Sequence, residues 1–365
     1  MSPSTEAPFA HADRTAAPKR YADADTRLIQ NCWYVAAFSG DIGTSLTERW
    51  ILDRNVVFYR TRAGEVVALD NRCPHRSYPL SRGRLVNDQV TCGYHGLTFD
   101  ATGACVRVPM LRNVPPNLGV TRYPVIERGP LVWIWVGEPE VADPSAIPHH
   151  FLPPGEAGWE TLCGYAYVNS NYVHMHENLQ DLTHFAYLHE SSIGVPDFAS
   201  VPVEVNVQGD QVLTVRRHMD ATPPALWKGV FKLSDNQLLS RIIESCFETP
   251  AHIGALQTML ISPPSPDMPS DYKIQVLHYL TPATQNGFHY FWAHMRDFQQ
   301  GDAGMSAVLR DGYTGAFAED KDALEAIAFL QQNDKRREFK EQSFASDRPG
   351  IAVRQVIERL ATAQP

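Results

Sequence analysis

Two short segments of the chain each place one cysteine and one histidine close together. Cys73 and His75 form a C-x-H pattern, and Cys92 and His95 form a C-x-x-H pattern after sixteen intervening residues. Thiolates and imidazoles are ligands for zinc and for iron–sulfur clusters. Residue types alone therefore leave a structural Cys2His2 zinc site open. Zinc fingers, however, usually pair their cysteines in one segment and their histidines in another.

The spacing favours an iron–sulfur cluster over zinc. In a Rieske [2Fe–2S] centre, two cysteines hold one iron and two histidines hold the other. Here each segment supplies one ligand of each kind, so each can contact both irons. The remaining cysteines have no ligand partner nearby in the sequence and are interpreted as small core residues. They are Cys32, Cys105, Cys163 and Cys246.

A second concentration of potential ligands lies between residues 174 and 189. His184 and His189 are five positions apart, which is about 140° around an ideal helix, so a local irregularity must bring both onto one metal. Two histidines and one carboxylate form the facial triad of non-haem iron oxygenases, which leaves positions open for O2. His174 and His176 are competing ligands. Surface histidines on a polar helix are the alternative without a metal.

A carboxylate for this triad is expected on a C-terminal helix, predicted over roughly residues 302–332. The spacing of Phe317, Leu324 and Ile327 defines one buried stripe, and Asp320 lies within it. An acid on an apolar stripe is costly unless it is paired or bound to a metal. A capping or salt-bridge role for Asp320 is the alternative. Two neighbouring acids are predicted to point away from the stripe, namely Glu319 and Asp322.

The elements that must position these residues differ between the two halves of the chain. Short runs rich in Val, Tyr and Trp between residues 31 and 137 predict a small all-β domain. Residues 139–154 are rich in proline and are predicted to form a connector. Strands between 201 and 292, followed by helices at 302–332 and about 350–363, predict a catalytic domain with an antiparallel sheet flanked by helices. The fold class is therefore α+β.

Length and composition exclude several classes of protein. The 365 residues carry a formal net charge of −9, with 44% hydrophobic and 20% charged residues, which is typical of a globular chain of about two domains. The acidic balance argues against nucleic-acid binding, and the apolar runs are too short to cross a membrane. Residues 1–27 lack the apolar region of a secretory signal and are predicted to form a flexible tail. A cytoplasmic location is expected.

Several segments resemble the Rieske non-haem iron oxygenases, in particular their vanillate and dicamba O-demethylase branch. The matching segments are residues 31–37 (NCWYVAA), 71–76 (NRCPHR), 92–99 (CGYHGLTF) and 125–135 (VIERGPLVWIW). A further segment is similar to the family's pattern N-x-x-D-x-x-H-x4-H, which is matched by Asn178, Asp181, His184 and His189. The resemblance is weakest in the tail and in residues 190–250.

The resemblance implies two metal centres in two domains. A Rieske domain at 28–150 would hold a [2Fe–2S] cluster through Cys73, His75, Cys92 and His95. A catalytic domain at 151–365 would hold a mononuclear Fe(II) through His184, His189 and Asp320. The family's Glu-Asp-Lys segment, here residues 319–321, selects the same acid as the helical stripe.

Asp181 is expected to connect the two kinds of centre. It lies one turn before His184 and could accept a hydrogen bond from that imidazole. In the family, the matching aspartate bridges the iron-binding histidine to a Rieske histidine of the neighbouring subunit, which here would be His75 or His95. The resemblance therefore implies a homotrimer, and it places Asn178 near the pocket.

The resemblance also implies a reaction. His278 and Gln257 match positions that face the substrate, although for Gln257 a solvent-facing strand position is equally compatible. Electrons would come from NAD(P)H through a separate flavin- or ferredoxin-type reductase, because the chain has no Gly-rich dinucleotide fingerprint. The expected reaction with O2 is O- or N-demethylation of a small aromatic compound. The alternatives are ring hydroxylation, a Rieske electron-transfer protein without oxygenase chemistry, and a zinc-stabilised binding protein.

Overall fold

The computed structural model describes residues 21–23, 25–264, 269, 271–336 and 341–364. Most of the predicted tail, residues 1–20 and 24, lies outside this description. At its end the prediction of a flexible tail is wrong, because Ala22 and Thr26 are buried. The Thr26 hydroxyl donates to a carboxylate oxygen of Glu358 at 3.0 Å. The chain is therefore anchored before Arg27.

The first half of the chain forms small antiparallel sheets, as the sequence predicts. Its strands are β1 (Cys32–Phe38), β2 (Thr47–Ile51), β3 (Arg54–Arg60), β4 (Val66–Asp70), β5 (Arg84–Val86), β6 (Gln89–Thr91), β7 (Thr98–Phe99), β8 (Cys105–Arg107), β9 (Val125–Arg128) and β10 (Leu131–Val136). The strand orders are β1-β10-β9, β2-β3-β4 and β5-β6-β7-β8. Short 3-10 helices occur at Ser39–Asp41, Leu80–Arg82, Pro139–Val141 and Pro144–Ala146.

The second half is organised around a seven-stranded antiparallel sheet. Its strands are β11 (Glu160–Val168), β12 (Val203–Gln208), β13 (Gln211–Ala221), β14 (Leu238–Thr249), β15 (His252–Ser262), β16 (Tyr272–Thr284) and β17 (Gly287–Arg296). The strand order is β11-β17-β16-β15-β14-β13-β12. The helices are α1 (Tyr172–Gln180), α2 (Ala225–Val230), α3 (Ala303–Asn333) and α4 (Arg348–Thr362), with 3-10 helices at Leu182–Ala186, Pro196–Ser200 and Ala345–Asp347.

This arrangement confirms the predicted α+β class and both C-terminal helices. Every residue of β17 is buried, because both faces of the sheet are covered near its centre. α1 and α3 lie on one face, and β1 and β10 of the first half pack on the other. None of the helices in the described part of the chain combines the length and apolarity that a membrane crossing requires.

The two halves share buried side chains and hydrogen bonds. The N–H of Leu52 donates to the carbonyl of Pro282 at 2.8 Å, and the hydroxyl of Thr281 donates to the carbonyl of Val35 at 2.7 Å. One apolar cluster combines residues from both halves, including Trp33, Trp133, Leu277, Tyr279 and Phe291. The sheet that carries the catalytic half is therefore packed directly on strands of the first half.

Candidate metal centres

The two cysteine–histidine loops share one backbone pattern. In each loop the cysteine N–H donates to the carbonyl five residues later, and the cysteine carbonyl accepts from the N–H four residues later. That fourth residue has a positive φ in both loops, 56° at Ser77 after Cys73 and 75° at Gly96 after Cys92. Two equivalent turns therefore present their ligand residues in the same way.

The four side chains of these loops lie close together, with the two cysteines inside the protein and the two histidines toward the surface. Cys73 and Cys92 are 1% and 3% exposed, whereas His75 is exposed and His95 is half-buried. The two imidazole rings lie 4.6 Å apart. Burial, together with the neighbouring Cys92 thiol, raises the pKa of the Cys73 thiol. Two buried thiols next to two imidazoles near the surface are a donor set that fits a Rieske [2Fe–2S] cluster.

The segment that carries the second histidine pair changes its helical form at Asp181. α1 ends at Gln180, and the Asp181 carboxylate accepts from the N–H of Thr183 at 3.0 Å, which caps the following 3-10 helix. This change supplies the irregularity that the five-residue spacing requires. It brings the rings of His184 and His189 to 5.1 Å.

Asp320 completes a group of three possible metal ligands. Its Oδ1 lies 3.5 Å from His184 Nε2 and 3.2 Å from His189 Nε2, and one ligand atom from each residue lies within 4.8 Å of the others. Both Nε2 atoms are buried and make no hydrogen bond within the described residues. Because buried polar atoms normally have a partner, this orphaned pair fits a bound metal. The donor set is that of non-haem iron.

The other nitrogen of each imidazole has an acceptor that fixes its proton. His184 Nδ1 donates to the main-chain carbonyl of Asp181 at 2.6 Å. His189 Nδ1 donates to a carboxylate oxygen of Glu319 at 2.7 Å. Carbonyl and carboxylate oxygens only accept, so Nδ1 carries the proton in each ring and the Nε2 lone pair is left for a metal ion.

These contacts correct two predictions. The Asp181 carboxylate does not bind the His184 imidazole, because that role belongs to the Asp181 carbonyl. The carboxylate instead contacts Thr183 and, at 3.4 Å, the guanidinium of Arg216. Glu319 does not point away from the site. The helical stripe gives only the direction of its Cβ, whereas its longer side chain reaches back to His189 from the edge of α3.

Asp320 lies on the buried stripe of α3 as predicted, but the stripe ends differently. Ile327 is 43% exposed and its neighbour Ala328 is buried instead, so the prediction for Ile327 is wrong. Asn178 lies beside the acid, and its amide donates to Asp320 Oδ1 at 2.9 Å. Burial alone would raise the pKa of Asp320, but the neighbouring His189 and His184, with the Asn178 amide, lower it overall. An ionised carboxylate is what a metal cation requires.

The two competing histidines have hydrogen-bond partners away from the candidate metal site. His174 Nδ1 lies 2.9 Å from the hydroxyl of Ser170, and His176 Nε2 lies 2.8 Å from the carbonyl of Pro250. Burial lowers the pKa of both, to about 4 for His174 and about 3 for His176. They are neutral core residues of α1.

A narrow cavity adjoins the three ligands. Its volume of about 80 Å³ is several times the ~10–15 Å³ that one water needs. His278 and Gln257 line it, and Gln257 Nε2 is buried without a hydrogen-bond partner. Gln257 therefore faces the cavity and not the solvent. His278 Nδ1 lies 2.7 Å from the Tyr290 hydroxyl, and burial lowers its pKa to about 3.

A larger concavity exists, but it is remote from the ligands. It has a volume of about 990 Å³ and lies between the connector and the opposite face of the sheet. None of the three candidate iron ligands lines it. We therefore assign the smaller cavity to chemistry, because the donor groups converge there.

Comparison with known proteins matches two parts of the chain to two family models. Residues 32–124 match the family model of the Rieske [2Fe-2S] domain, and residues 168–363 match that of the vanillate O-demethylase oxygenase C-terminal domain. The iron–sulfur subunit of a toluene-4-sulfonate monooxygenase system from Comamonas testosteroni is 35% identical over 82% of this chain and 88% of its own length. The oxygenase component of dicamba O-demethylase from Stenotrophomonas maltophilia is 33% identical over 91% and 98%.

A solved structure has the same fold. Dicamba monooxygenase bound to 3,6-dichlorosalicylic acid superimposes with a TM-score of 0.84 at 31% identity, covering 92% of this chain and 98% of that one. A Rieske domain joined to a domain with a buried two-histidine, one-carboxylate group is the architecture of the oxygenase component of a Rieske non-haem iron oxygenase. The chain belongs to the vanillate and dicamba O-demethylase branch of the Rieske non-haem iron oxygenases. It therefore uses a [2Fe–2S] cluster, mononuclear iron and electrons from a reductase.

Proposed function

We propose that this chain hydroxylates a methyl carbon bound to oxygen or nitrogen on a small aromatic compound. The observation that carries the proposal is the convergence of His184, His189 and Asp320 at a mainly apolar cavity. An electron-transfer protein has no use for such a cavity. Hydroxylation of the methyl group gives a hemiacetal or hemiaminal, which then loses formaldehyde. The names of its relatives, O-demethylases and a chloroacetanilide N-alkylformylase, support this reaction class.

The residues that hold the two metal centres are part of the proposal. Cys73, His75, Cys92 and His95 would hold the cluster, and His184, His189 and Asp320 would hold the iron. When bound, the cluster supplies single electrons and the iron activates O2. His184 Nδ1 donates to the Asp181 carbonyl and His189 Nδ1 donates to the Glu319 carboxylate. Each proton therefore stays on Nδ1, and the Nε2 lone pairs remain available for the iron. Asn178 orients the Asp320 carboxylate, and His278 and Gln257 contact the substrate.

The proposal includes a homotrimer in which Asp181 connects two subunits. The tip of the Rieske domain, formed by the two loops that carry His75 and His95, supports this arrangement. At this tip His75 is exposed, and Tyr94, which lies beside His95, is 60% exposed. Such a tip can dock on a second copy. We place the Rieske domain at 28–150 and the catalytic domain at 151–365, and we assign the protein to the cytoplasm, where a flavin- or ferredoxin-type reductase draws on NAD(P)H.

Metal analysis followed by product analysis tests the proposal. Iron and acid-labile sulfide are measured, and the reduced protein is examined by EPR for a Rieske signal. The pre-reduced protein is then given O2 and a panel of methoxylated and N-methylated arenes. We expect formaldehyde and the demethylated arene in equal amounts. A ring-hydroxylated product without formaldehyde would assign the chain to ring hydroxylation, and a cluster without any product would assign it to electron transfer.

A further inference from the structure

A central strand places a fully buried arginine beside the catalytic cavity. Arg241, on β14, is 1% exposed and lines the same cavity as His184 and His189. Its Nη1 donates to the carbonyl of Ile193 at 2.9 Å, and its guanidinium lies 4.8 Å from the centre of the Phe198 ring. Within the described residues, no carboxylate oxygen lies within 4.0 Å of this guanidinium. A buried charge without a counter-ion is costly.

The neighbouring histidine orients Arg241 but does not neutralise it. His218 Nε2 lies 2.9 Å from the Asp197 carboxylate, and His218 Nδ1 lies 3.4 Å from Arg241 Nη2. Because the carboxylate accepts the Nε2 proton, Nδ1 is free to accept from the guanidinium. The Asp197 side chain is 61% exposed, so solvent screens its charge. The guanidinium is held in place and keeps its positive charge.

Arg241 brings a permanent positive charge to the wall of the cavity. Burial lowers its pKa only to about 10, so it stays protonated at neutral pH. Of the two polar side chains predicted to meet the substrate, Gln257 carries no charge, and His278 is neutral because burial lowers its pKa to about 3. No other Lys or Arg lines the cavity in the described chain. Apart from the iron held by its proposed ligands, a negatively charged ligand would therefore find its counter-ion at Arg241.

Two further donors lie on the same face of the sheet. In the antiparallel register Ile243 pairs with Gln257, and Ser245 pairs with Ala255. Arg241, Ile243 and Ser245 alternate along β14, so their side chains share one face at intervals of about 7 Å. Gln257 Nε2 and Ser245 Oγ are both buried without a hydrogen-bond partner. The cavity thus offers two hydrogen-bond donors without a protein partner on the same face of the sheet as the Arg241 guanidinium.

The position of Arg241 relative to the metal site is fixed by the main chain. The carbonyl of Ile193 accepts a hydrogen bond from the guanidinium. The next residue is Gly194, whose N–H donates to the carbonyl of His189 at 3.0 Å. A side chain added at Gly194 would meet the carbonyl of Phe185 at 1.7 Å. The turn leaves no room for a side chain at Gly194, and it connects the carbonyl of His189 to the carbonyl that accepts from Arg241.

We propose that Arg241 binds an anionic group, a carboxylate or a sulfonate, on the aromatic substrate and so directs the opposite end of the ring toward His184, His189 and Asp320. This proposal rests on the proposed function, because it names the substrate class of that same cavity. Arginine suits the task because its planar fork matches the paired oxygens of either anion. Gln257 is placed to donate to the same ligand.

Binding of matched probes to the iron-loaded protein tests the proposal. Isothermal titration is carried out with 4-methylbenzenesulfonate, 4-methylbenzoate and the neutral 4-methylbenzamide. The variants are Arg241→Gln, Arg241→Lys and the control Arg296→Gln, since Arg296 is also fully buried but does not line the cavity. We expect Arg241→Gln to raise the dissociation constant of the preferred anion by about 30-fold or more and to change that of the amide little. The lysine variant should lie between, and the control should keep the preference for anions.

Three results would overturn the proposal. They are equal affinity of the unaltered protein for anions and amide, unchanged anion binding in Arg241→Gln, and an equal loss for anion and amide in that variant. If Arg241→Gln does not fold, the unaltered protein and the lysine variant still decide between these outcomes. The anion that binds more tightly shows whether the charged group of the substrate is a carboxylate or a sulfonate. Failure of the proposed function looks different, because demethylation would then be absent with every arene, charged or neutral.

Discussion

The two metal-binding regions of this protein are built on opposite principles. The four proposed ligand residues of the Rieske loops lie within residues 73–95 and reach the surface through His75. The proposed ligands of the iron come from the turn after α1 and from the middle of α3, and His189 and Asp320 are 1% and 3% exposed. A centre that exchanges electrons with a partner must approach the surface, whereas a centre that handles O2 and substrate must exclude water. Local sequence can specify the first, but only the tertiary fold can assemble the second.

The largest effect is expected from a change that removes the electron-transfer centre. Cys92→Ser should abolish the [2Fe–2S] cluster, because serine is a poor ligand for soft iron sites, and with it all reductase-dependent turnover. Visible absorption and EPR of the reduced protein provide the measurement. Cys105→Ser is the matched control, since Cys105 is buried in the same apolar cluster but is not a predicted ligand. A Rieske EPR signal in Cys92→Ser would contradict the ligand assignment.

The reciprocal change removes the catalytic centre alone. Asp320→Ala should lower the affinity for mononuclear iron by more than about 100-fold, since direct ligands matter more than their supporting groups, while the cluster stays intact. Iron analysis corrected for the EPR-quantified cluster, together with turnover, measures this. Asp322→Ala on the exposed side of α3 is the control. If Glu319→Ala loses iron and Asp320→Ala does not, the wrong acid has been assigned.

A third change should leave both metal centres occupied but block electron transfer between them. Asp181→Asn keeps an oxygen that can accept from the Thr183 N–H, so the 3-10 helix should persist. It loses the charge that the proposed bridge to a second subunit requires. In single-turnover oxidation of the pre-reduced protein, we expect product below about a tenth of the unaltered yield. A near-normal yield with both metals loaded would remove the bridge and the main reason for expecting a trimer.

The smallest effect concerns the support of one iron ligand. Glu319→Gln keeps an acceptor for the His189 Nδ1 proton but removes the charge, so iron affinity should fall by about tenfold. Titration of the iron-depleted protein with Co(II), followed by visible absorption, measures the dissociation constant. Glu325→Gln on the same helix, which disturbs only the pair with Lys321 and the contact with Asn169, should leave it unchanged. Equal constants for all three proteins would show that Glu319 gives no support.

The same contrast explains what the sequence could predict. The cysteine–histidine spacing predicts the cluster loops because their geometry is local, and the helical stripe predicts Asp320 because burial follows helical periodicity. Glu319 and the Asp181 carbonyl escape prediction. The former reaches the site through side-chain length, and the latter is a main-chain group with no sequence signal. Arg241 lies on β14, within the region where the resemblance is weakest. The sequence gives no sign that it lines the cavity, and only the strand register of the fold places it there.

The packing of β1 and β10 on the central sheet has a consequence for folding. Since buried residues of both halves form common clusters, neither half can lose its structure without exposing apolar surface on the other. We therefore expect the two halves to lose their structure together in calorimetry, because they share a large apolar interface. A fragment ending near residue 150 would leave Trp33 and Trp133 without the sheet that covers them. Exchange of Rieske modules between relatives must therefore preserve this shared face as well as the cluster loops.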